Sequence, residues 1–313
     1  MYELNGENIK EIMCWNNISS PVYCYLEITG KCNSKCMYCQ MELTYKDLEK
    51  EKFKHIIDEL KSNNILEVRF GGGEPLCCDD LIEKIQYCKK RKMSVILCTN
   101  GYKYTTGLIK EFRRLNLDGV RVSFDSTIDK EHDEIRGLKG SAKHAKKFMQ
   151  LCKKNGIPVT VSMTVGKHNV SEIDSVKQYC KNNDYRFATH SIMPTGKGKK
   201  FYDDNLNGPS TSNSNVDVII SNVGEKHCVA ASELIAIDIN GNVSACTFLK
   251  HFDNIFDKSL SEIINSYDMQ KYLYPVNLDK CSKCPYAITK KSGKCKLSSI
   301  CRGGCWAIEE LKK

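Results

Sequence analysis

At 313 residues the chain exceeds what one small core needs, so a main domain with an appendage is expected. A polar segment from Met1 to Lys10 and the lack of any apolar run of membrane-spanning length exclude a secretory signal and a membrane helix; 18 cysteines then read as metal ligands in a reducing cytoplasm, not as disulfides. The formal net charge of +9 is spread beside Asp and Glu and is densest at Lys197, Lys199 and Lys200, giving a solvated surface or a face for an acidic partner or leader peptide, with no base-reading motif for nucleic acid.

Residues 1–21 are a lead-in, too short for an amino-terminal peptide-binding domain, and from 22 to 196 strand-like and helix-like segments alternate. The strand candidates are Val22–Ile28, Ile65–Phe70, Ser94–Cys98, Gly119–Phe124, Pro158–Val165 and Tyr185–Ile192. Several are nearly continuous in apolar character, as parallel strands covered on both faces should be. Between them Phe53, Ile56, Ile57 and Leu60 form one helical stripe, and Phe148, Leu151 and Cys152 repeat that logic before Asn155-Gly156. Such βα units in series predict an α/β fold, a partial parallel (β/α)6 TIM-like barrel with functional residues at its C-terminal strand ends.

Residues 197–226, rich in Gly, Asn, Ser and Lys, predict a linker or crossing loop. Residues 227–313 predict a small, loop-rich C-terminal domain. It opens with a hairpin, Leu234–Ile239 and Val243–Cys246 around Asn240-Gly241, followed by one helix near Leu260–Tyr267. The cysteine-dense tail from Cys281 to Cys305 buries little core, so metal should hold it together.

The densest chemical signal is Cys32-x3-Cys36-x2-Cys39, just past the first strand. Three thiolates this close can share one face of an iron–sulfur cluster and keep one iron open for a non-protein ligand. A zinc knuckle is the alternative, although paired C-x2-C halves are the usual zinc pattern. Gly71-Gly72-Gly73-Glu74-Pro75 closes the second strand, Thr99-Asn100-Gly101 the third and Ser123-Phe124-Asp125 the fourth. His132-Asp133-Glu134-Ile135-Arg136-Gly137 follows, and Pro194 and Gly196 lie past the sixth strand. Glycines let backbone approach a ligand, Glu74 can accept from an ammonium group, and Arg136 offers a fork for a carboxylate.

With Tyr38 before the third cysteine, this set of motifs resembles the radical S-adenosylmethionine (SAM) enzymes over the first two hundred residues. The resemblance implies a 4Fe–4S cluster on Cys32, Cys36 and Cys39 whose open iron takes the amine and carboxylate of SAM. Gly71, Gly72, Gly73, Glu74, Asn100 and Arg136 would surround that cofactor, Ser123 would contact its methionine end or ribose, and Tyr38 would face the adenine. One electron, from a partner such as flavodoxin or ferredoxin, would release a 5′-deoxyadenosyl radical that abstracts a hydrogen atom. Asp125, Cys77 and Cys78 are the candidates for further catalytic roles, the cysteines as hydrogen donors.

Downstream, Cys228-x12-Gly241-x4-Cys246, Cys281-x2-Cys284, Cys295 and Cys301-x3-Cys305 are similar to the SPASM extension of peptide-modifying members. Its usual C-x2-C-x5-C-x3-C block is stretched here to sixteen middle residues. The similarity implies that residues 227–313 are an iron–sulfur domain with two auxiliary clusters, three 4Fe–4S clusters in all. We assign Cys228, Cys246 and Cys305 to the first, which leaves an open iron, and Cys281, Cys284, Cys295 and Cys301 to the second. A zinc site on Cys281, Cys284, Cys301 and Cys305, or a single cluster, are the alternatives. The expected activity is radical modification of a ribosomally made precursor peptide by a thioether or carbon–carbon crosslink, with the leader read directly or by a separate recognition protein. Alternatives are a peptide epimerase, a sulfatase-maturating enzyme, a haem or quinone cofactor-precursor enzyme, or a non-catalytic iron–sulfur or zinc module.

Overall fold

The computed structural model describes residues 21–193, 195–201, 230–270 and 272. Strand β1 (Tyr23–Thr29) leads through a long loop to α1 (Lys50–Ser62), and β2 (Glu67–Gly72), α2 (Leu81–Lys90), β3 (Ser94–Thr99), α3 (Thr106–Arg114) and β4 (Gly119–Ser123) continue the alternation. Helices α4 (Asp129–Arg136) and α5 (Ser141–Lys154) precede β5 (Val159–Val165), and α6 (Ile173–Asn183) precedes β6 (Arg186–Ser191). All these strands are parallel and stand in sequence order; β6 and β1 do not pair, so the sheet curls into an unclosed partial barrel.

The strands alternate instead of running apolar throughout, which corrects the sequence expectation. Cys24, Leu26, Val68, Phe70, Val95, Leu97, Val120 and Val122 are buried beneath the helices. The stripe Phe53, Ile56, Ile57 and Leu60 of α1 is buried with them, as are Phe148 and Cys152 of α5, while Leu151 packs at the edge. The intervening positions face the concave side and are mostly polar: Arg69 stands beside Tyr25 and Arg121 beside Cys98. There the Arg69 guanidinium stacks 3.6 Å from the Tyr23 ring and pairs with Glu67 at 2.6 Å, and Arg121 Nη1 lies 3.4 Å from His190 Nε2. Burial, then the Arg121 and Arg69 charges, hold His190 down at about 3, so its ring is neutral. A closed barrel fills its lumen with apolar layers; this open one keeps a polar lumen.

At the other edge β7 (Leu234–Ile237) runs parallel to β1, and antiparallel β8 (Asn242–Ser244) and β9 (Asp253–Asn254) extend the sheet to nine strands. The Asn240-Gly241 hairpin therefore grows out of the barrel's own sheet. Gly241 sits at φ +85°, and a Cβ there would lie 2.3 Å from the Phe256 ring. The single helix expected near Leu260–Tyr267 is two short ones, α7 (Leu260–Ile264) and α8 (Tyr267–Gln270). Ser266 interrupts it: its Oγ accepts from Met269 N (3.3 Å) and starts the second turn. Pro194, Cys14, Cys228, Cys281, Cys284, Cys295, Cys301 and Cys305 lie outside the described residues.

Phe70 is fully buried and meets Phe53 edge-on at 5.7 Å. Phe70→Ala should cost about 3–5 kcal/mol, read as a lowered urea midpoint at unchanged slope.

Candidate active site

The loop leaving β1 is pinched at its base. Thr29 Oγ1 donates to Asp47 Oδ1 (2.6 Å), Lys31 Nζ pairs with Asp47 (2.8 Å), and Gly30 N donates to Lys46 O (2.7 Å). A Cβ on Gly30 would fall 2.0 Å from Thr44 Oγ1, so the pinch requires glycine. Within the loop Cys39 N donates to Cys36 O (3.2 Å). Lys35 N and Met37 N donate to Arg136 O (3.1 Å) and Ile135 O (3.0 Å), carbonyls that the end of α4 leaves unpaired. Gly137 permits this docking, since a Cβ there would lie 2.6 Å from Lys35 O.

Cys32, Cys36 and Cys39 thereby line one cavity of about 270 Å³ at the C-terminal strand ends. They are free thiols, and Asp47, Cys78 and Asp80 are the only three metal-type ligands among the described residues with atoms all within 4.8 Å. One tetrahedral zinc needs sulfurs about 3.8 Å apart, so the wider spread of the three loop sulfurs fits a polynuclear cluster better. Burial pushes Cys32 up to about 12 and Cys36 upward, and cluster iron would displace those protons. Ser34 N donates to Cys32 Sγ (3.4 Å) and Arg136 Nη1 to Cys36 Sγ (3.8 Å), contacts that favour thiolates.

Behind the loop stands Asp125, fully buried. Its Oδ1 accepts from Thr164 N (2.9 Å) and its Oδ2 from the Tyr38 hydroxyl (2.7 Å). Arg136 Nε lies 2.8 Å from the same Oδ2, but its N–H is not in line, so the contact is an ion pair without a hydrogen bond. Burial opposes the Arg136 charge, yet Asp125, Tyr38 and Cys36 together raise its pKa above the usual arginine value. Asp125 N donates to His132 Nδ1 (3.1 Å), which puts the ring proton on Nε2, facing Ser141 Oγ at 3.2 Å. Burial and the Arg136 charge hold His132 down at about 4.

Glu74 ties the ends of β2 and β3 together. Its Oε1 accepts from Leu76 N (2.9 Å) and Thr99 Oγ1 (2.5 Å), and its Oε2 from Asn100 N (2.7 Å). A carboxylate has about four acceptor directions, so one remains for the cavity that Glu74 lines. Asn100 Nδ2 reaches across to Asn33 Oδ1 (2.8 Å) and Ser34 Oγ (3.1 Å), fixing the cysteine loop to β3.

Gly72, Gly73, Asn100, Ser123, Arg136 and Tyr38 line the same cavity. Gly71 does not; a Cβ there would strike the Tyr25 hydroxyl at 2.0 Å, so its smallness admits Tyr25, which accepts from Gly72 N (3.1 Å). Asp125, Cys77 and Cys78 are also absent from the lining. Cys78 turns toward Ile28 O (3.9 Å) and Asp80 (3.2 Å), and Asp125 spends both oxygens on positioning. The cysteine that does face the cavity beside the loop is Cys98, with Tyr25, Thr164 and His190. The period of two in β3 was its signal: Val95 and Leu97 point to the helices, so Cys98 points inward.

Three thiols on the loop after the first strand of an open parallel barrel, with polar strand ends around one cavity, define an iron–sulfur enzyme of the βα-barrel type. Residues 26–180 match the family model of the Radical SAM superfamily, and residues 228–285 match SPASM, an iron–sulfur cluster-binding domain. The chain belongs to the radical SAM superfamily and carries a SPASM segment. It is 28% identical to the Fe-coproporphyrin III synthase of Methanosarcina barkeri (strain Fusaro / DSM 804) over 225 residues, 70% of this chain and 53% of that protein. It is 27% identical to the antilisterial bacteriocin subtilosin biosynthesis protein AlbA of Bacillus subtilis (strain 168) over 318 residues, 93% of this chain and 68% of that one. The fold matches Streptococcus suis SuiB bound to precursor peptide SuiA with a TM-score of 0.72 at 17% identity, covering 100% of this chain and 81% of that one. The chain spans about half the length of the Methanosarcina relatives it matches.

Asp125→Ala would strand the buried Arg136 charge, so it should lower unfolding free energy by about 3–5 kcal/mol in denaturant titrations. The unfolded chain protonates His132 at about 6.5 and the folded chain only near 4, so stability should fall by about 3 kcal/mol as pH drops through that window. His132→Gln should flatten that part of the pH–stability curve.

Proposed function

We propose that this chain modifies a ribosomally made peptide, forming a thioether or carbon–carbon crosslink through a 5′-deoxyadenosyl radical. One observation carries the reading: the three loop thiols and the strand-end polar groups share one cavity. Cys32, Cys36 and Cys39 would hold the radical-generating cluster, with Gly72, Gly73, Glu74, Asn100, Ser123, Arg136 and Tyr38 around SAM. The two cofactors supply one-electron cleavage of a carbon–sulfur bond and hence hydrogen abstraction. The chain's own residues orient and enclose: the free acceptor direction of Glu74 suits the ammonium, and Asn100 keeps the cysteine loop registered to β3.

Similarity to AlbA over most of the chain, and a SuiB-like fold, support a peptide substrate. Cys246, at the end of the β8 hairpin, would join Cys228 and Cys305 on the first auxiliary cluster, with Cys281, Cys284, Cys295 and Cys301 on the second. Flavodoxin or ferredoxin would supply the electron. Lys197, Lys199 and Lys200 line a shallow hollow with Met37 and Phe201, a basic, partly apolar surface suited to an acidic leader. No helix among the described residues is long and apolar enough to cross a membrane, and we assign the chain to the cytoplasm. Cys98 in the cavity favours a second reading, epimerisation, in which a thiol returns a hydrogen atom to the substrate radical.

Anaerobically reconstituted protein should cleave SAM to 5′-deoxyadenosine with dithionite, and the variant with Cys32, Cys36 and Cys39 all changed to Ala should not. About twelve irons per chain supports three cubanes, whereas about four with one zinc refutes the auxiliary assignment. A crosslinked peptide loses two hydrogens in mass spectrometry; an epimerised one keeps its mass.

A further inference from the structure

We propose that Glu27 is the proton acceptor of this peptide chemistry, working from a second chamber beside the cysteine-loop cavity; the inference rests on the peptide-modifying reading above. The chamber holds about 350 Å³ and lies between the C-terminal end of β1, the cysteine loop and the β7–β8 hairpin. Gln40, Met41 and Phe248 line both spaces, so the two chambers share a wall of flexible side chains. Glu27 is half-buried on the concave side of β1, in the row of Tyr23 and Tyr25.

The groups facing Glu27 explain its state. Asp238, just past β7, lies opposite, and its carboxylate accepts from Asn240 N, Asn242 N and Asn242 Nδ2, each at 2.8 Å. Asp238 is thereby fixed in a turn, with His251 Nδ1 3.8 Å away. Glu42, Lys250 and His251 also line the chamber, yet among the described residues no cation pairs with Glu27; its partner is the Ile239 N–H. Burial first, and then Asp238, lift Glu27 to about 7, where a carboxyl exchanges protons efficiently at neutral pH. Four other acids and imidazoles of the barrel top are unsuited. Asp125 has both carboxylate oxygens engaged, Glu74 has three internal donors, and His132 and His190 are held at about 4 and about 3.

The chemistry requires such a group. In thioether formation a substrate C–H bond breaks homolytically and its hydrogen atom goes to 5′-deoxyadenosyl. The thiol S–H then gives its proton to Glu27 while the new C–S bond forms. The one electron left over would pass to an oxidised auxiliary iron–sulfur cluster. A carbon–carbon crosslink releases the same proton and electron. Thr247, which lines the chamber, directly follows the auxiliary-ligand candidate Cys246, so a cluster held by Cys246 would lie on the chamber's side of the barrel.

The test uses the cluster-loaded full chain. Infrared titration should show a protonated carboxyl band with a midpoint near pH 7, lost in Glu27→Gln and moved to lower pH in Asp238→Asn; a band in the ordinary carboxylate range, or one surviving in Glu27→Gln, overturns the assignment. With a synthetic cysteine-containing peptide that the wild-type chain crosslinks, Glu27→Gln should still release 5′-deoxyadenosine but yield about a hundredfold less crosslink per cleavage. Acetate should restore part of the crosslinking in Glu27→Ala. Equal crosslinking in Glu27→Gln and wild type refutes the role of Glu27 alone. Failure of the wild-type chain to release any 5′-deoxyadenosine instead refutes the peptide-radical reading, and the inference with it.

Discussion

A carboxylate sealed in the barrel top, Asp125, joins three elements that would otherwise be independent. It receives the Tyr38 hydroxyl from the cysteine loop, the Thr164 amide from β5 and the Arg136 guanidinium from α4. Burying such a charge is tolerable only because each oxygen is met, and removing any partner exposes the full desolvation penalty. Since Lys35 and Met37 also donate to the α4 terminus, the cysteine loop is held to the same helix by backbone and side chain together. Loop position, helix position and strand end thus form one mechanical unit, and the separation of the three sulfurs follows from it.

The same economy of placement distinguishes the two faces of the sheet. Apolar residues of every second register pack beneath the helices and provide the cohesion. The alternate register carries Tyr25, Glu27, Arg69, Cys98, Arg121 and His190 into the lumen, where an open barrel can admit a polar ligand. Neutral His190 beside two arginines shows how far that interior is removed from bulk water. Arg69 keeps its charge there by pairing with Glu67 and stacking on Tyr23.

The strands and the motif positions were legible because they are local: short β-branched runs, glycine-rich ends and cysteine spacing need no knowledge of neighbours. The face of each strand was harder to read. Cys98 and Cys24 both sit in apolar surroundings in the sequence, and only the register between strands sends the first to the cavity and the second to the core. Cys77 and Cys78 misled by adjacency to the glycine motif; a 3₁₀ turn at Pro75–Cys77 rotates them away from it. Gly71 misled in the opposite way, since the motif's first glycine serves Tyr25 and the second and third serve the cavity. No local pattern announces that the Asn240-Gly241 hairpin belongs to the barrel sheet, because β7 finds β1 across two hundred residues of chain.

That last pairing has a chemical consequence. By adding β7 beside β1, the chain sets Asp238 next to Glu27 and brings the segment following Cys246 against the cysteine loop. Had the hairpin formed a detached unit, Glu27 would face solvent, lose the neighbouring carboxylate and titrate as an ordinary glutamate. Sheet extension therefore does two things at once: it pairs the β1 edge of the open barrel, and it builds a chamber lined by Glu27, Glu42 and Asp238 beside the cysteine-loop cavity. An oxidative coupling must dispose of a hydrogen atom, a proton and an electron separately. With Glu27 as the proposed proton acceptor, the hydrogen atom and the proton would be taken up in adjoining cavities, with no large motion between those steps.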